Sequence, residues 1–160
     1  SSAASDVYKR QALGFSELYL DGKNIEDNIR SIDVANWVSE IAKQPEVRTF
    51  LVNLQRKMGE EKGVVMDGRD IGTVVFPEAE LKIFMTASEE VRAQRRFKEL
   101  QAKGEKVSFE EVLANIKHRD HVDTTRKESP LRKADDAITI DNTHLTIEEQ
   151  VDKILSILKD

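Results

Sequence analysis

Residues 63–77 read GVVMDGRDIGTVVFP. The apolar run Val64-Val65-Met66 stops at an acid, Asp67, and Gly68, Arg69, Asp70 and Gly72 follow closely. A short apolar run without alternation is the pattern of a strand covered on both faces of a parallel sheet. An acid where such a strand ends lies at the carboxyl edge of the sheet, where open α/β folds bind their ligands. There Asp67 suits a Mg²⁺ ion held through water, Arg69 a phosphate gripped by two N–H groups, and Asp70 the amino group of a base. Gly68 lets the backbone turn sharply between them. The alternative is a strand-end acid paired with a neighbouring arginine in a structural turn, and the stretch alone leaves both open.

The pattern continues on the carboxyl side. LKIFMTA (81–87) and DAITIDN (136–142) read as two further strands. Ser88 with Glu89 and Glu90 opens a helix that runs to about Lys103, its acids placed to suit the helix dipole, and Gly104 ends it. Ser108 with Glu111, and Thr146 with Glu149, form capping boxes for two more helices. The last of these is expected to turn Ile147, Val151, Ile154 and Leu158 inward. On the amino side, SELYLDGKNI (16–25) reads as a hairpin about Asp21-Gly22. Residues 31–43 place Val34, Val38 and Ile41 at helical spacing behind a Ser31 cap, and Pro45 opens a helix with Val47, Leu51, Leu54 and Met58 on one face. The first eleven residues, SSAASDVYKRQ, show no periodicity and read as a tail. Strand–helix alternation after residue 63 predicts an α/β protein with a parallel sheet flanked by helices.

Composition narrows the function classes. A chain of 160 residues, 39% hydrophobic and 34% charged, suits one well-buried core. Its apolar runs fall well short of the roughly 18 residues of a spanning helix, and no basic start precedes an apolar segment, so neither a membrane span nor a signal peptide is expected. Without cysteine there are no disulfides or thiolate metal sites, and His118, His121 and His144 have no zinc spacing. These features point to the cytoplasm. A net charge of −5 argues against wrapping nucleic acid. The arginines nevertheless gather at 92, 95 and 96 and at 119, 126 and 132, which suits a small anionic ligand.

Two helical faces carry that positive charge. Arg92, Arg95 and Arg96 fall at i, i+3 and i+4 in SEEVRAQRRFKEL, either as an anion site or as a solvated face partly neutralised by Glu89 and Glu99. Arg119, Asp123 and Arg126 share a face in KHRDHVDTTR: the first two suit a sugar hydroxyl and the third a phosphate, or they form an intrahelical ion pair. One phosphate motif is a decoy. Gly63 to Asp70 matches the glycine spacing of G-x-x-x-x-G-K-S/T, but a strand stands where the loop belongs, and Arg-Asp replaces Lys-Ser/Thr.

VVMDGRDIGTVVFPEAELKIFMTAS, then VRAQRRFKEL and IKHRDHVDTTRKESPL, with IRSIDVANWVSEIAKQPEVR upstream, closely resemble the bacterial cytidylate kinase, or (d)CMP kinase, family over residues 15–158. The resemblance implies a P-loop-kinase-like fold with a small monophosphate-binding insert and a lid, and transfer of the ATP γ-phosphoryl group to CMP or dCMP with Mg²⁺ as cofactor. By position it implies that Ser39, Arg48 and Asp70 recognise cytosine. Arg69 and Arg126 hold the monophosphate, and Arg119 and Asp123 hold the sugar. Arg92, Arg95 and Arg96 belong to the lid and the ATP phosphates. Catalysis falls to Asp67, Arg69, Arg95 and Arg126, with no direct protein ligand for the metal. The implied partners are CMP, dCMP and ATP, with neither nucleic acid nor membrane, on a monomer in full-length form. The implied plan is a foreign tail over 1–11, a partial monophosphate-binding region over 12–61, core over 62–91, lid and flanking helices over 92–118, and core again over 119–160. The family's opening strand and P-loop have no counterpart here, so the expectation is an amino-truncated member with bare strand edges. Such a chain would turn over weakly or not at all, the alternative being a non-enzymatic CMP-binding or folding fragment.

Overall fold

The computed structural model describes residues 7–12 and 15–159. The chain divides into two compact units, residues 1–41 and 42–160.

The first unit is a three-stranded antiparallel sheet followed by a helix. Strand β1 (Val7–Ala12) pairs with β2 (Phe15–Leu20), which pairs with β3 (Lys23–Asn24). The Asp21-Gly22 turn forms as its sequence predicts: φ is 49° at Asp21 and 76° at Gly22, the left-handed pair that a two-residue hairpin requires. Helix α1 (Ile32–Ile41) follows, with the Ser31 hydroxyl accepting from the Val34 N–H at 3.3 Å. The stretch 7–11 is not the featureless tail expected. It pairs in full register with β2, from Val7 opposite Leu20 to Ala12 opposite Phe15. A cross-strand partner supplies the order that its own periodicity does not.

The second unit is mixed α/β. Helix α2 (Pro45–Met58) has its proline in the first turn, as read. Strand β4 (Ile83–Thr86) runs parallel to β5 (Ile138–Asp141), from Ile83 opposite Ile138 to Thr86 opposite Asp141. Helices α3 (Glu89–Ala102), α4 (Phe109–Thr125) and α5 (Ile147–Ile157) start where their caps predict. Ser88 accepts from the Val91 N–H, and both capping boxes are closed, at Ser108 with Glu111 and at Thr146 with Glu149. Gly104, at φ 79°, ends α3. The core of this unit includes Val75, Ala93, Leu100, Val112, Val122 and Ile140. Helices α3 and α4 pack together, with Phe97 and Phe109 edge-to-face at 6.1 Å between ring centroids. Among the described residues no helix is long and apolar enough to cross a membrane.

Three expectations are corrected. Residues 63–67 form no strand among the described residues: Gly63 takes a left-handed φ of 65°, and Val65 is fully exposed. An apolar run becomes a strand only when a neighbour takes its backbone hydrogen bonds. Second, α5 buries none of its residues: Ile147, Val151 and Leu158 lie exposed, because none of the described elements packs broadly over that helix. Third, the buried apolar side chain of α2 is Val52, while Leu51, Leu54 and Met58 are exposed.

The docked face of α2 is Arg48, Val52, Arg56 and Gly59, and it meets the segment Asp70–Phe76. Arg56 donates to the carbonyls of Val75 and Val74 at 3.2 and 2.7 Å. Those carbonyls belong to a single π-turn, Ile71–Val75, and Asp70 accepts at its start from the N–H groups of Thr73, Val74 and Val75. Gly59 lies so close to Phe76 that a Cβ there would stand 2.5 Å from the ring. This contact holds the helix that carries Arg48 against the segment that carries Asp70.

Gly59→Ala is expected to cost about 1–3 kcal/mol of stability, since the added methyl has to displace an aromatic ring; urea unfolding measures it. Acid should weaken the second unit as well. Glu111 is held below the ordinary carboxylate range by hydrogen bonds from Ser108, Asp136 by Lys82, and Asp141 by Thr143. Carboxyls depressed on folding stabilise fully above their unfolded values of about 4, and that contribution is lost as pH falls through the folded values. The unfolding midpoint should therefore drop below about pH 4, and Ser108→Ala should make that drop shallower.

Candidate functional site: an arginine-lined cleft

The segment that opened the sequence reading ends in a charge lattice. Asp70 is 4% exposed and pairs with Arg48 of α2. Its neighbour Arg69 is directed to α4, where its Nε lies 3.2 Å from Asp123 Oδ2 and its Nη1 3.7 Å from Asp120 Oδ1. Asp123, also 4% exposed, holds Arg126 by its other oxygen at 3.2 Å. Arg126 further donates from Nε to the Ser129 carbonyl at 2.8 Å. From α3, Arg92 reaches Asp120 Oδ2 at 2.7 Å and the Ala87 carbonyl at 3.1 Å.

Cations outnumber anions here. Among the described residues, the acids facing Arg48, Arg69, Arg92, Arg119 and Arg126 are Asp70, Asp120 and Asp123. Arg119 makes no hydrogen bond or ion pair among the described residues, and its buried Nε has no partner. The buried Nε of Arg48 and Nη2 of Arg126 are likewise unmatched. Burial lowers the pKa of Arg119, and the nearby Arg69 lowers it further. Burial also lowers that of Arg126, with Arg48 and Arg69 adding to the effect. Desolvated guanidiniums with free N–H groups are what an incoming oxyanion satisfies.

Beside this lattice, at the carboxyl ends of β4 and β5, lies a cavity of 290 Å³. Arg69, Arg92, Arg95 and Asp120 line it, together with Met85 and Asn142. Arg95 donates to the Asn142 side chain at 3.0 Å and to the carbonyls of Asn142 and Leu145 at 2.7 and 3.4 Å. Its charge has no carboxylate partner among the described residues.

The structure thus brings together Arg48, Arg69, Asp70, Arg119, Asp123 and Arg126, with Arg92 and Arg95 at the cavity. Arg96 is not among the residues lining it and pairs with Glu99 at 2.8 Å, as the solvated-face reading expected. Asp67 is exposed and makes no ion pair among the described residues. The side chain of Ser39 lies outside those described. No group of three or more metal-ligating acids and histidines occurs among the described residues. Asp120 was not singled out from sequence. Its signal was its position three residues before Asp123, which puts the two on neighbouring parts of one helix face.

A family model described as cytidylate kinase matches residues 3–160. The chain belongs to the cytidylate kinase family. Among similar proteins, a cytidylate kinase of Flavobacterium johnsoniae is 60% identical over 148 residues, covering 92% of this chain and 64% of that protein. One from Parabacteroides distasonis is 60% identical over 137 residues, covering 86% of this chain and 60% of its own length. One from Flavobacterium psychrophilum is 57% identical, covering 91% and 65%. The chain therefore spans a little under two thirds of the curated relatives it matches. The cytidylate kinase family match begins at residue 3, inside the stretch read as foreign.

Asp70→Ala leaves Arg48 buried without its counter-ion. Loss of one partner from a buried pair typically costs about 3–5 kcal/mol, and urea unfolding should show a loss approaching that range. Asp70→Asn, which keeps an acceptor for the guanidinium, should cost less.

Proposed function

We propose that this chain is the cytidine-monophosphate-binding part of a nucleoside monophosphate kinase. That enzyme transfers the γ-phosphoryl group of ATP to CMP or dCMP, giving ADP and CDP or dCDP. The observation that carries the reading is the convergence of Arg69, Arg119, Asp123 and Arg126 around unmatched, desolvated N–H groups, next to the Arg48–Asp70 pair. A phosphate fits the excess positive charge, and Arg126 and Arg69 are its ligands. Asp123 and Arg119 take the sugar hydroxyls. Asp70 and Arg48 read the cytosine edge: a carboxylate accepts from its amino group, and the guanidinium donates to its carbonyl and ring nitrogen.

Phosphoryl transfer asks little covalent work of the protein. It requires two polyanions held in line, their charge offset and water excluded. Arg92 and Arg95, which line the cavity with Arg69, meet the transferred phosphoryl group and the phosphate that receives it. Mg²⁺ commonly binds through one or two carboxylates, several waters and the substrate's own phosphates. Asp67, a free acid beside Arg69, fits the outer-sphere role, and the metal offsets phosphate charge when bound. The compartment that suits these substrates is the cytoplasm, and the full-length protein is read as a monomer.

The test is a titration of this chain with CMP, dCMP, UMP and AMP. The expected outcome is selective binding of the two cytosine nucleotides, with Arg126→Ala weakening CMP at least about tenfold, as loss of a hydrogen bond to a charged group does. Equal binding of all four would remove the assignment of Asp70 and Arg48. Absence of any binding would leave an interaction or folding unit.

A further inference from the structure

We infer that Asp120 is a positioning residue that sets two guanidiniums of different elements at the spacing at which they share one phosphate. The inference rests on the reading of the site as a phosphate-binding cleft. Asp120 is the acid common to Arg69 and to Arg92 of α3. It meets both through Nη1, at 3.7 and 2.7 Å. Each arginine has a second anchor through Nε: Asp123 at 3.2 Å for Arg69, and the Ala87 carbonyl at 3.1 Å for Arg92. Neither Nη2 donates a hydrogen bond among the described residues. Both side chains line the cavity with Asp120.

Arg92, hydrogen-bonded at Nε and ion-paired at Nη1, keeps its orientation and leaves its remaining edge for a ligand, and Arg69 is drawn to the same side by its two ion pairs, the looser at 3.7 Å. The carboxylate therefore braces the pair from behind rather than occupying the place of the phosphate. It also offsets the repulsion between two cations that must approach each other before any ligand arrives. The backbone supports this placement: Asp120 lies within α4, and its carbonyl accepts from the Thr124 hydroxyl at 2.7 Å.

NMR titration of the full chain with CMP and with cytidine separates bracing from a general structural role, because cytidine lacks the phosphate. Asp120→Ala should weaken CMP about tenfold, the scale of a lost charged hydrogen bond, and leave cytidine unchanged. Asp120→Asn, which still accepts from Arg92 without attracting Arg69, should fall between. Several results overturn the inference: CMP affinity unchanged in both variants, CMP and cytidine weakened in equal proportion, tighter CMP binding (the mark of a competing carboxylate), or unfolding of both variants. If the unaltered chain does not prefer CMP to cytidine, the phosphate-cleft reading fails and this inference with it. If it does prefer CMP and the variants keep that preference, this inference alone fails.

Discussion

One buried carboxylate organises the site. Asp123 stands between Arg69, just beyond the apolar run, and Arg126 at the end of α4, holding each at 3.2 Å. Two cations this near one another repel strongly in a poorly solvated setting, and the acid between them makes the arrangement stable without a ligand. It does not neutralise it. Arg119, on the same helix, adds a third charge with no ion pair among the described residues, and its lowered pKa records the burial and crowding. The lattice is held together and still short of negative charge, the condition that favours a polyanion over water.

Local sequence rules place this carboxylate. Helix α4 begins at a closed capping box, where the Ser108 N–H donates to Glu111 at 2.7 Å and the Glu111 N–H to the Ser108 hydroxyl at 3.2 Å. It buries Val112 near its start and Val122 near its end. With start and packing set, the 3.6-residue period puts Arg119, Asp120, Asp123 and Arg126 along one edge. The stability of the helix and the assembly of the cleft are thus one problem, which explains why a weakly amphipathic helix carries so much of the site.

Much of this was legible in the sequence, because it depends on contacts a few residues apart. The capping boxes, the Asp21-Gly22 turn, the proline start of α2 and the glycine stop of α3 are local chemistry. The arginine and acid positions 69, 70, 119, 123 and 126 were legible through motif resemblance. What escaped depends on partners distant in the chain. Helix α2 has two candidate faces, and Leu51, Leu54 and Met58 are the more hydrophobic. Yet the docked face is decided by Arg56 reaching two carbonyls and by Gly59 admitting the Phe76 ring. Gly63–Asp67 has the composition of a strand but finds no pairing partner among the described residues, and β1 lacks the composition yet finds one. Hydrophobic periodicity reports which side chains favour burial, not which surface is there to receive them.

The same distinction explains the choice of arginine throughout the cleft. A lysine at position 69 would be one point of charge, satisfied by Asp123 and then spent. A guanidinium presents N–H groups on three nitrogens in one plane, so Arg69 can face Asp120 and Asp123 through two of them, as ion pairs at 3.7 and 3.2 Å, and keep the third for a ligand. Arg92 repeats the arrangement with a carbonyl in place of the second acid. Arg95, held through Nη1 and Nη2 by neutral oxygens of Asn142 and Leu145, is oriented without losing charge. A cleft built this way keeps its geometry when empty and presents an uncompensated field when a phosphate arrives. Rigid donors aimed before a ligand binds cost no reorganisation on binding, a property that net positive charge alone does not supply.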